Sequence, residues 1–376
     1  MHGMLNGMVA LALAVLPLRA IAAPLAWELD QHTVLTPKLN LALDRAWFSG
    51  EPRLHDGHGV RRAEIGLALE HRDVFELTAV YDVDAGNWAD VFLQLDSRAR
   101  KAGAGRLRLG QIKVPFGLEG LGSSSATSFL ETALATQLVF PGRRVGLEWS
   151  NSWQATTLRA AYFSGNDLDG GNPGSMAAAR AVWAPRSEPA DVLHLGLSAA
   201  QESPHDTATV RLRARPESNL AEHFLIDSGA LAQVDRIRRG AIDGLWIKGG
   251  FSLQGELLQA RLARDAGQPD VRVRGHYLTA SWMPGGASRS YADGSVGNVK
   301  PGSGAASAFE FLLRYSDAQL ETGAAPEHRA HSWTLGSNWY LGQYLKFQLN
   351  LVQVRSAQPA LLDDHRSLQA RMQLAF

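Results

Sequence analysis

A period-two alternation of polar and apolar side chains recurs along almost the whole chain and limits the folds that it can adopt. Residues 366–376 show it most clearly, with an apolar side chain at every second position and Phe376 at the end. Successive side chains of a β-strand point to opposite faces, so the pattern predicts strands with one polar and one apolar face. Segments of about ten residues with this alternation are typical of outer-membrane barrels. We identify sixteen of them, at residues 38–48, 61–71, 74–83, 89–97, 105–113, 143–150, 154–163, 177–185, 191–201, 239–248, 251–262, 270–283, 307–319, 331–341, 344–355 and 366–376.

The number of segments tests this interpretation, because a bacterial outer-membrane barrel has an even number of strands. A seventeenth segment, 207–215, also alternates. We place it in a long outer loop at 202–238, so that both termini lie on the periplasmic side. The alternative is that the Ala-rich segment 177–185 does not span. Either choice predicts an all-β, 16-stranded antiparallel transmembrane β-barrel.

The two faces of these segments favour a membrane barrel over a soluble barrel or sandwich with a packed core. The polar faces carry charged residues on nearly every segment, and the apolar faces carry Leu, Val, Phe and Trp with many Ala and Gly. Aromatic residues recur near the segment ends, as in the interfacial girdles of a barrel in lipid. Such a barrel must close, since an open edge would leave backbone groups unpaired. Because the chain shows no linker or shift in composition, we predict one barrel domain over 23–376.

The first 22 residues have the features of a secretory signal peptide. Met4 to Leu18 is a short apolar run, and Ala20-Ile21-Ala22 fits a small-residue cleavage site. A buried N-terminal helix is the alternative. Cleavage near Ala22 removes Arg19 from the 37 basic residues and no acid, which leaves 36 basic and 37 acidic residues and a net charge of −1. That charge does not indicate a nucleic-acid partner.

Short and long connections alternate between the predicted strands. The short ones suit the periplasmic end, and 114–142 becomes the third outer loop, far longer than the two to five residues of a hairpin turn. Long loops in a strand-rich chain are commonly functional, so we predict that this one folds back into its own pore. Parity places the Gly- and Ser-rich stretch 284–306 in the periplasm. A connection of that length has no evident reason there, unless it also enters the pore.

A series of short motifs follows in order through the chain after the first 22 residues. They are Gly110–Glu119, Ser123–Ser124, Phe129–Glu131, Pro141–Gly146, Arg215–Glu217, Ile226–Gly229, Phe251–Glu256, Leu313–Ser316, Leu335–Tyr340 and the closing strand. Together these motifs resemble the phosphate-selective porin O and P family of the bacterial outer membrane. The resemblance implies a homotrimer of 16-stranded channels that pass small anions, with phosphate suspected. It also implies that the third loop and an Arg-bearing loop narrow each pore.

Arg and Lys along the lumen are the residues that an anion pore requires, because they replace water around the anion. Arg also suits phosphate, since its planar fork can contact two oxygens at once. Arg211, Arg213 and Arg215 can project to one side, and this row resembles part of the arginine ladder of the family. The predicted anion pathway consists of Lys113, Arg211, Arg213, Arg215, Arg62, Arg106, Arg108 and Arg144. The other basic residues on polar faces are Arg159, Arg272, Arg274, Arg314, Lys346 and Arg371.

The third loop leaves the selectivity open. It contains Glu119 and Glu131 and no basic residue before Arg143, whereas family members that bind phosphate tightly carry basic residues at the constriction. Lumen arginines can also pair with acids and only fill a wet barrel. We therefore expect a weak to moderate preference for anions, and the alternative is a general or weakly cation-preferring porin.

Motifs for enzymatic chemistry are missing from the sequence. The 12 His residues show no zinc-binding spacing, and neither a serine-hydrolase elbow nor a P-loop occurs. We predict no catalytic residue, no cofactor and no metal. An outer-membrane barrel enzyme and a plugged structural barrel are the alternatives from other functional classes.

Overall fold

A computed structural model describes residues 25–96, 104–265, 267–301, 305–323, 328–357 and 361–376. Over these residues, sixteen long antiparallel strands form one closed sheet. They are β1 Thr33–Ser49, β2 Gly57–His71, β3 Phe75–Asp82, β4 Asn87–Asp96, β5 Arg106–Lys113, β6 Arg143–Trp153, β7 Thr156–Ser164, β8 Gly174–Glu188, β9 Asp191–Pro204, β10 Val234–Lys248, β11 Phe251–Arg264, β12 Val271–Trp282, β13 Ser307–Thr322, β14 His328–Leu341, β15 Leu345–Ser356 and β16 His365–Ala375. In these residues, no helix is long and apolar enough to cross a membrane.

The barrel closes where β16 pairs with β1, from Asn40 opposite Ala375 to Ser49 opposite Arg366. Closure leaves no open edge, which is the condition for a sheet in lipid. The prediction of a 16-stranded antiparallel barrel is therefore confirmed. A short strand, Trp27–Glu28, pairs with the beginning of β1 inside the same sheet.

The structure also decides between the two strand assignments. The Ala-rich segment 177–185 lies inside β8, which pairs with both β7 and β9, so the alternative that removed it is wrong. Segment 207–215 lies in the fifth outer loop, residues 205–233, where Arg213–Ala214 forms a two-residue pair with Ile226–Asp227. Small Ala side chains weaken the contrast between the two faces of β8, which is why the sequence left both choices open.

The outer surface of the barrel is apolar across its middle. Leu257, Leu197 and Tyr162 expose 58–60% of their surface there. Aromatic pairs lie near the periplasmic end, including Phe309 stacked on Trp339 with ring centroids 5.8 Å apart. This band with its aromatic edge matches the surface that a barrel presents to lipid.

Three segments fold into the lumen. The third outer loop, 114–142, enters with a short helix, α1 Leu134–Val139, which packs against β11, β12 and β13. The prediction of an inward third loop is thus confirmed. The fifth outer loop follows it, and the backbone N–H of Arg215 donates a hydrogen bond to Oε1 of Gln137 on α1 at 2.9 Å.

The third inward segment enters from the periplasmic end and accounts for the long stretch 284–306. Ser288–Ala292 and Ser295–Lys300 form a hairpin, which we call the periplasmic hairpin. The hydroxyl of Tyr291 is hydrogen-bonded to Nδ1 of His194 on β9 at 2.7 Å. Arg289 pairs with Glu310 at 2.7 Å and donates to the Ala126 carbonyl of the third loop at 3.1 Å. The hairpin is therefore fastened both to the wall and to the third loop.

Candidate functional site

Two adjacent arginines of β2 point into the lumen, although simple alternation allows only one. The register between β1 and β2 shifts here, because Ala42 pairs with Arg62 while Leu43 pairs with Val60. Arg61 is the extra residue of this β-bulge, a feature that re-aims a side chain. Its guanidinium binds Glu131 of the third loop at 2.6 and 3.0 Å. Sequence reasoning selected Arg62 and missed Arg61, since a bulge leaves no mark in the alternation.

The acids of the third loop are neutralised by arginines of the wall. Glu131 binds Arg61 at 2.6 Å and Arg371 of β16 at 3.1 Å. Glu119 accepts hydrogen bonds from the Ala133 N–H at 3.0 Å and from Arg314 of β13 at 3.1 Å. Burial raises the pKa of Glu119, against the opposing effect of Arg314. The two acids hold the loop to the wall and do not leave it with free negative charge.

Lys113 stands where the third loop leaves β5. Its Nζ donates to the carbonyls of Gly120 at 3.1 Å and Gly122 at 2.5 Å, so it supports the base of the loop and has no carboxylate within 4 Å among the described residues. Arg143, its register partner on β6, binds Asp90 with two hydrogen bonds of 2.9 and 3.1 Å. A lysine and an arginine thus flank the two ends of the loop.

The three arginines of the fifth outer loop make two different kinds of contact. Arg211 is paired with Asp227 at 2.5 Å. Arg213 and Arg215 instead stack on the ring of Phe224, with guanidinium carbons 4.5 and 5.0 Å from its centroid. Neither has an ion pair within the described part of the chain. Burial and the positive charge of Arg213 lower the pKa of Arg215, which shows how close the two charges lie.

Three more basic residues lie near the periplasmic end of the lumen, on β5 and β7. Arg106 binds Asp96 at 3.1 Å and Asp293 of the periplasmic hairpin at 2.5 Å. Arg108 donates to Gln94 at 2.8 Å and lies 3.7 Å from Glu148. Arg159 donates to the backbone carbonyl of Asp293 at 3.1 Å. These side chains surround one cavity beside the hairpin.

The basic residues of the lumen fall into two groups by exposure. On β2, β5 and β6, the side chains of Arg61, Arg62, Arg106, Arg108 and Arg143 are 22–29% exposed. The other group is 7% exposed or less, and each member has at least one carboxylate partner: Arg144, Arg180, Arg239, Arg289, Arg314 and Arg371. The first group is open to water, whereas the second group holds the inserted loops and the wall together.

Several predicted residues therefore lie away from any open path. Arg144 is buried against Glu202 and donates to the carbonyl of Asn172 at 3.0 Å. Lys346 is buried and donates to the carbonyls of Ser125 and Thr127 at 3.0 Å. Arg272 and Arg274 lie on the outside of the barrel, because β12 turns its even-numbered residues outward.

Comparison with known proteins assigns the family. The sequence profile of the phosphate-selective porin O and P family matches residues 38–376, nearly the whole barrel. The chain belongs to this family. This porin is 26% identical to Porin O of Pseudomonas aeruginosa over 292 residues, which cover 66% of this chain and 65% of that protein. The aligned part thus spans about 65% of the length of the curated relative.

Solved structures show the same fold at low sequence identity. Outer-membrane expressed OmpT of Vibrio cholerae is 9% identical with a TM-score of 0.63, covering 93% of this porin and 100% of that chain. The anion-selective porin from Comamonas acidovorans is 15% identical with a TM-score of 0.58, covering 92% and 100%. The family and the closed barrel assign the porin to the bacterial outer membrane.

The contact between Glu131 and Arg61 should make the porin less stable in acid. Burial alone would raise the pKa of Glu131, but Arg61 and Arg371 bring it to about 2, against an ordinary value of 4.5. The charged form is favoured in the fold, so its stabilisation is present above about pH 4.5 and is lost as the pH falls towards 2. The measurement is the unfolding temperature of wild type and of Glu131→Gln in detergent, from pH 2 to 7. At neutral pH the wild type should unfold at the higher temperature. The two curves should converge in acid, and a constant separation would contradict this account.

Proposed function

We propose that small anions cross this porin along the wall formed by β2, β5, β6 and β7. The observation that carries the proposal is the exposure of its basic residues. Arg61, Arg62, Arg143, Arg108 and Arg106 remain partly open to water, whereas the buried arginines are occupied by structural contacts. Anion pores use such lines of positive charge to replace water around the ion.

The charges of this wall follow one another from the fifth outer loop to the periplasmic end. Arg215 lies within electrostatic range of Arg61, and Lys113 within range of Arg62 and Arg143. Arg159 lies near Arg108. An anion leaving one positive group therefore meets the field of the next, and several weak sites in series suit flux better than one tight site.

Net charge along this path depends on which arginines are not neutralised. Four of the exposed arginines have carboxylate partners, so each pair adds little field at a distance: Arg61, Arg62, Arg106 and Arg143. Arg213 and Arg215 have no carboxylate partner in the described residues, and their stacking on Phe224 leaves the charge in place. These two arginines support an anion preference more strongly than the paired ones do.

Phosphate is the anion that we propose for this path. Arginine supplies two parallel N–H groups, which suits a tetrahedral oxyanion better than a point charge does. The family description names phosphate, and one structural neighbour is titled an anion-selective porin. The first description is that of the family and the second that of a neighbour. The paired acids along this wall favour modest affinity in this porin.

Ion selectivity in a planar bilayer tests the proposal. Across a potassium chloride gradient, the reversal potential should indicate preference for chloride over potassium. Millimolar phosphate should then lower the chloride current if phosphate occupies the same path. A preference for potassium would overturn the anion proposal and favour the general or cation-preferring porin. A chloride preference without phosphate inhibition would overturn phosphate alone.

Lys113 gives a second, narrower test. Lys113 is half-buried and lies within electrostatic range of Arg62 and Arg143, so Lys113→Gln removes one unit of charge from the path. One charge about 7 Å from an ion contributes about 0.6 kcal/mol in water, before salt screening. We expect the anion preference to fall by about twofold without reversing. Lys113→Arg should retain it, and equal losses in both variants would indicate a structural effect on the third loop instead.

We also propose export and trimer formation. Removal of residues 1–22 would leave the barrel domain 23–376, and the first 24 residues lie outside those that the structure describes. One solved neighbour, OmpT of Vibrio cholerae, is titled as a trimer form. N-terminal sequencing of the purified porin and its mass in mild detergent test the two proposals separately.

A further inference from the structure

The outside of the barrel carries a row of arginines at its extracellular end. Arg238, Arg261 and Arg272 lie on three adjacent strands, β10, β11 and β12. They are directly opposite one another in register, Arg238 with Arg261 and Arg261 with Arg272. Arg274 follows two residues later on the same face of β12. We call these four residues the outer arginine row.

The row borders the surface that contacts acyl chains. Moving along the same three strands towards the middle of the barrel, the next exposed large side chains are Ile242, Leu257 and Leu278, at 52–60% exposure. Val271 and Val273, on either side of Arg272 in β12, point inward and are buried. An outward arginine just beyond an apolar band lies at the depth of lipid headgroups.

The charges of the outer arginine row are only partly matched within the protein. Arg261 binds Asp270 at 2.8 Å, and Arg238 donates to Gln201 at 3.2 Å. Arg272 and Arg274 have no ion pair in the described part of the chain. Like charges directly opposite each other destabilise a sheet, so an external anion that neutralises them would be favoured.

Nearby acids supply only part of that neutralisation. Glu321 is the register partner of Arg272 but accepts a hydrogen bond from Gln319. Asp317, the next outward acid of β13, is paired with Arg329 at 3.3 Å. Asp317 is therefore occupied by Arg329. Glu321 and Asp270 offset at most two of the four arginine charges, so the row keeps an excess of positive charge.

We infer that the outer arginine row binds phosphate groups of lipid headgroups in the outer leaflet. The proposed site has two parts: the guanidinium groups of the outer arginine row, which suit phosphate, and the adjacent apolar surface, which suits acyl chains. A free phosphate ion would use only the first part. The periplasmic ends of the same strands carry Trp246, Phe251 and Trp282 instead, so the match is to one leaflet only.

Nanodiscs with defined lipids test this inference on the full porin. The probe is diphosphoryl lipid A in phosphatidylcholine, compared with the same lipid after removal of its phosphates, and the readout is lipid retained by the porin in native mass spectrometry. Wild type should retain the diphosphoryl form preferentially. Arg272→Gln with Arg274→Gln should weaken retention by about fivefold for each arginine removed. Arg72→Gln with Lys248→Gln removes two charges at the opposite end of the barrel and should leave retention unchanged.

Other variants and competitors test the same inference if Arg272→Gln with Arg274→Gln folds poorly. Arg272→Lys with Arg274→Lys keeps the charge and should retain most of the binding. Millimolar inorganic phosphate should not displace the lipid, and full displacement would assign the row to free phosphate. Equal retention of the dephosphorylated lipid would overturn the inference. So would cross-linking between porin copies through a cysteine introduced in place of Arg272, because a second copy would then cover the row.

Discussion

Replacing Arg314 with Met should strongly destabilise the porin and loosen two of its inserted loops. The Arg314 side chain is 1% exposed and joins three segments. It donates to Glu119 Oε1 at 3.1 Å and to the carbonyl of Glu131 at 3.0 Å in the third loop, and to Glu217 Oε2 at 2.6 Å in the fifth. Removing it leaves buried carboxylates without a counter-charge, at a cost of about 3–5 kcal/mol.

The measurement is the temperature at which the barrel unfolds in detergent, together with single-channel conductance. Because both loops lose their common anchor, we expect a lower unfolding temperature and a larger, noisier conductance. Arg355→Met is the matched control, since it breaks an exposed pair with Asp364 that should be worth less than about 1 kcal/mol. Adding Glu217→Gln to the Arg314 variant should recover part of the loss. Unchanged conductance in the Arg314 variant would show that the loops do not depend on this contact.

Glu217 shows why the arrangement of the inserted loops could not be predicted from the sequence. It adopts a left-handed backbone conformation, with φ of 51°, which is unusual for a residue with a side chain. Its carboxylate accepts hydrogen bonds from Ser332 at 2.8 Å and Thr334 at 2.7 Å on β14. These partners lie more than a hundred residues away in sequence. Alternation reports which way a strand residue points, but it carries no information on such distant contacts.

The wall itself was predictable because each strand separates lipid from a polar interior. That contrast persists through sixteen strands and weakens only where Ala fills β8. It fails at Arg61, where one inserted residue turns two neighbours to the same side. It also assigned Arg272 and Arg274 to the lumen, since their polar character at the headgroup level resembles that of a lumen residue. Polarity marks contact with water or headgroups and does not by itself mark the inside of a barrel.

Reversing the charges of Arg213 and Arg215 should change the ion selectivity more than any paired residue can. Both stack on Phe224, and neither has a carboxylate partner in the described residues. In water a unit charge about 7 Å from an ion contributes about 0.6 kcal/mol, and salt at physiological strength reduces this by about half. Changing both residues to Glu alters the local charge by four units. Because the anion and the cation shift in opposite directions, the anion-to-cation permeability ratio should fall by about one to two orders of magnitude.

Reversal potentials across a salt gradient measure this change, and they should be taken at low and high salt. Screening predicts that the difference between the Arg213→Glu, Arg215→Glu variant and wild type narrows as salt rises. Arg72→Glu with Lys248→Glu reverses two charges at the periplasmic rim and should leave the ratio close to wild type. Arg211→Gln combined with Asp227→Asn should have a smaller effect than loss of either neighbour, because this pair, 2.5 Å apart, carries no net charge. If the double variant keeps the wild-type permeability ratio, ions do not pass beside the fifth outer loop. The selectivity would then be set by the basic residues around the base of the third loop: Lys113, Arg62 and Arg143.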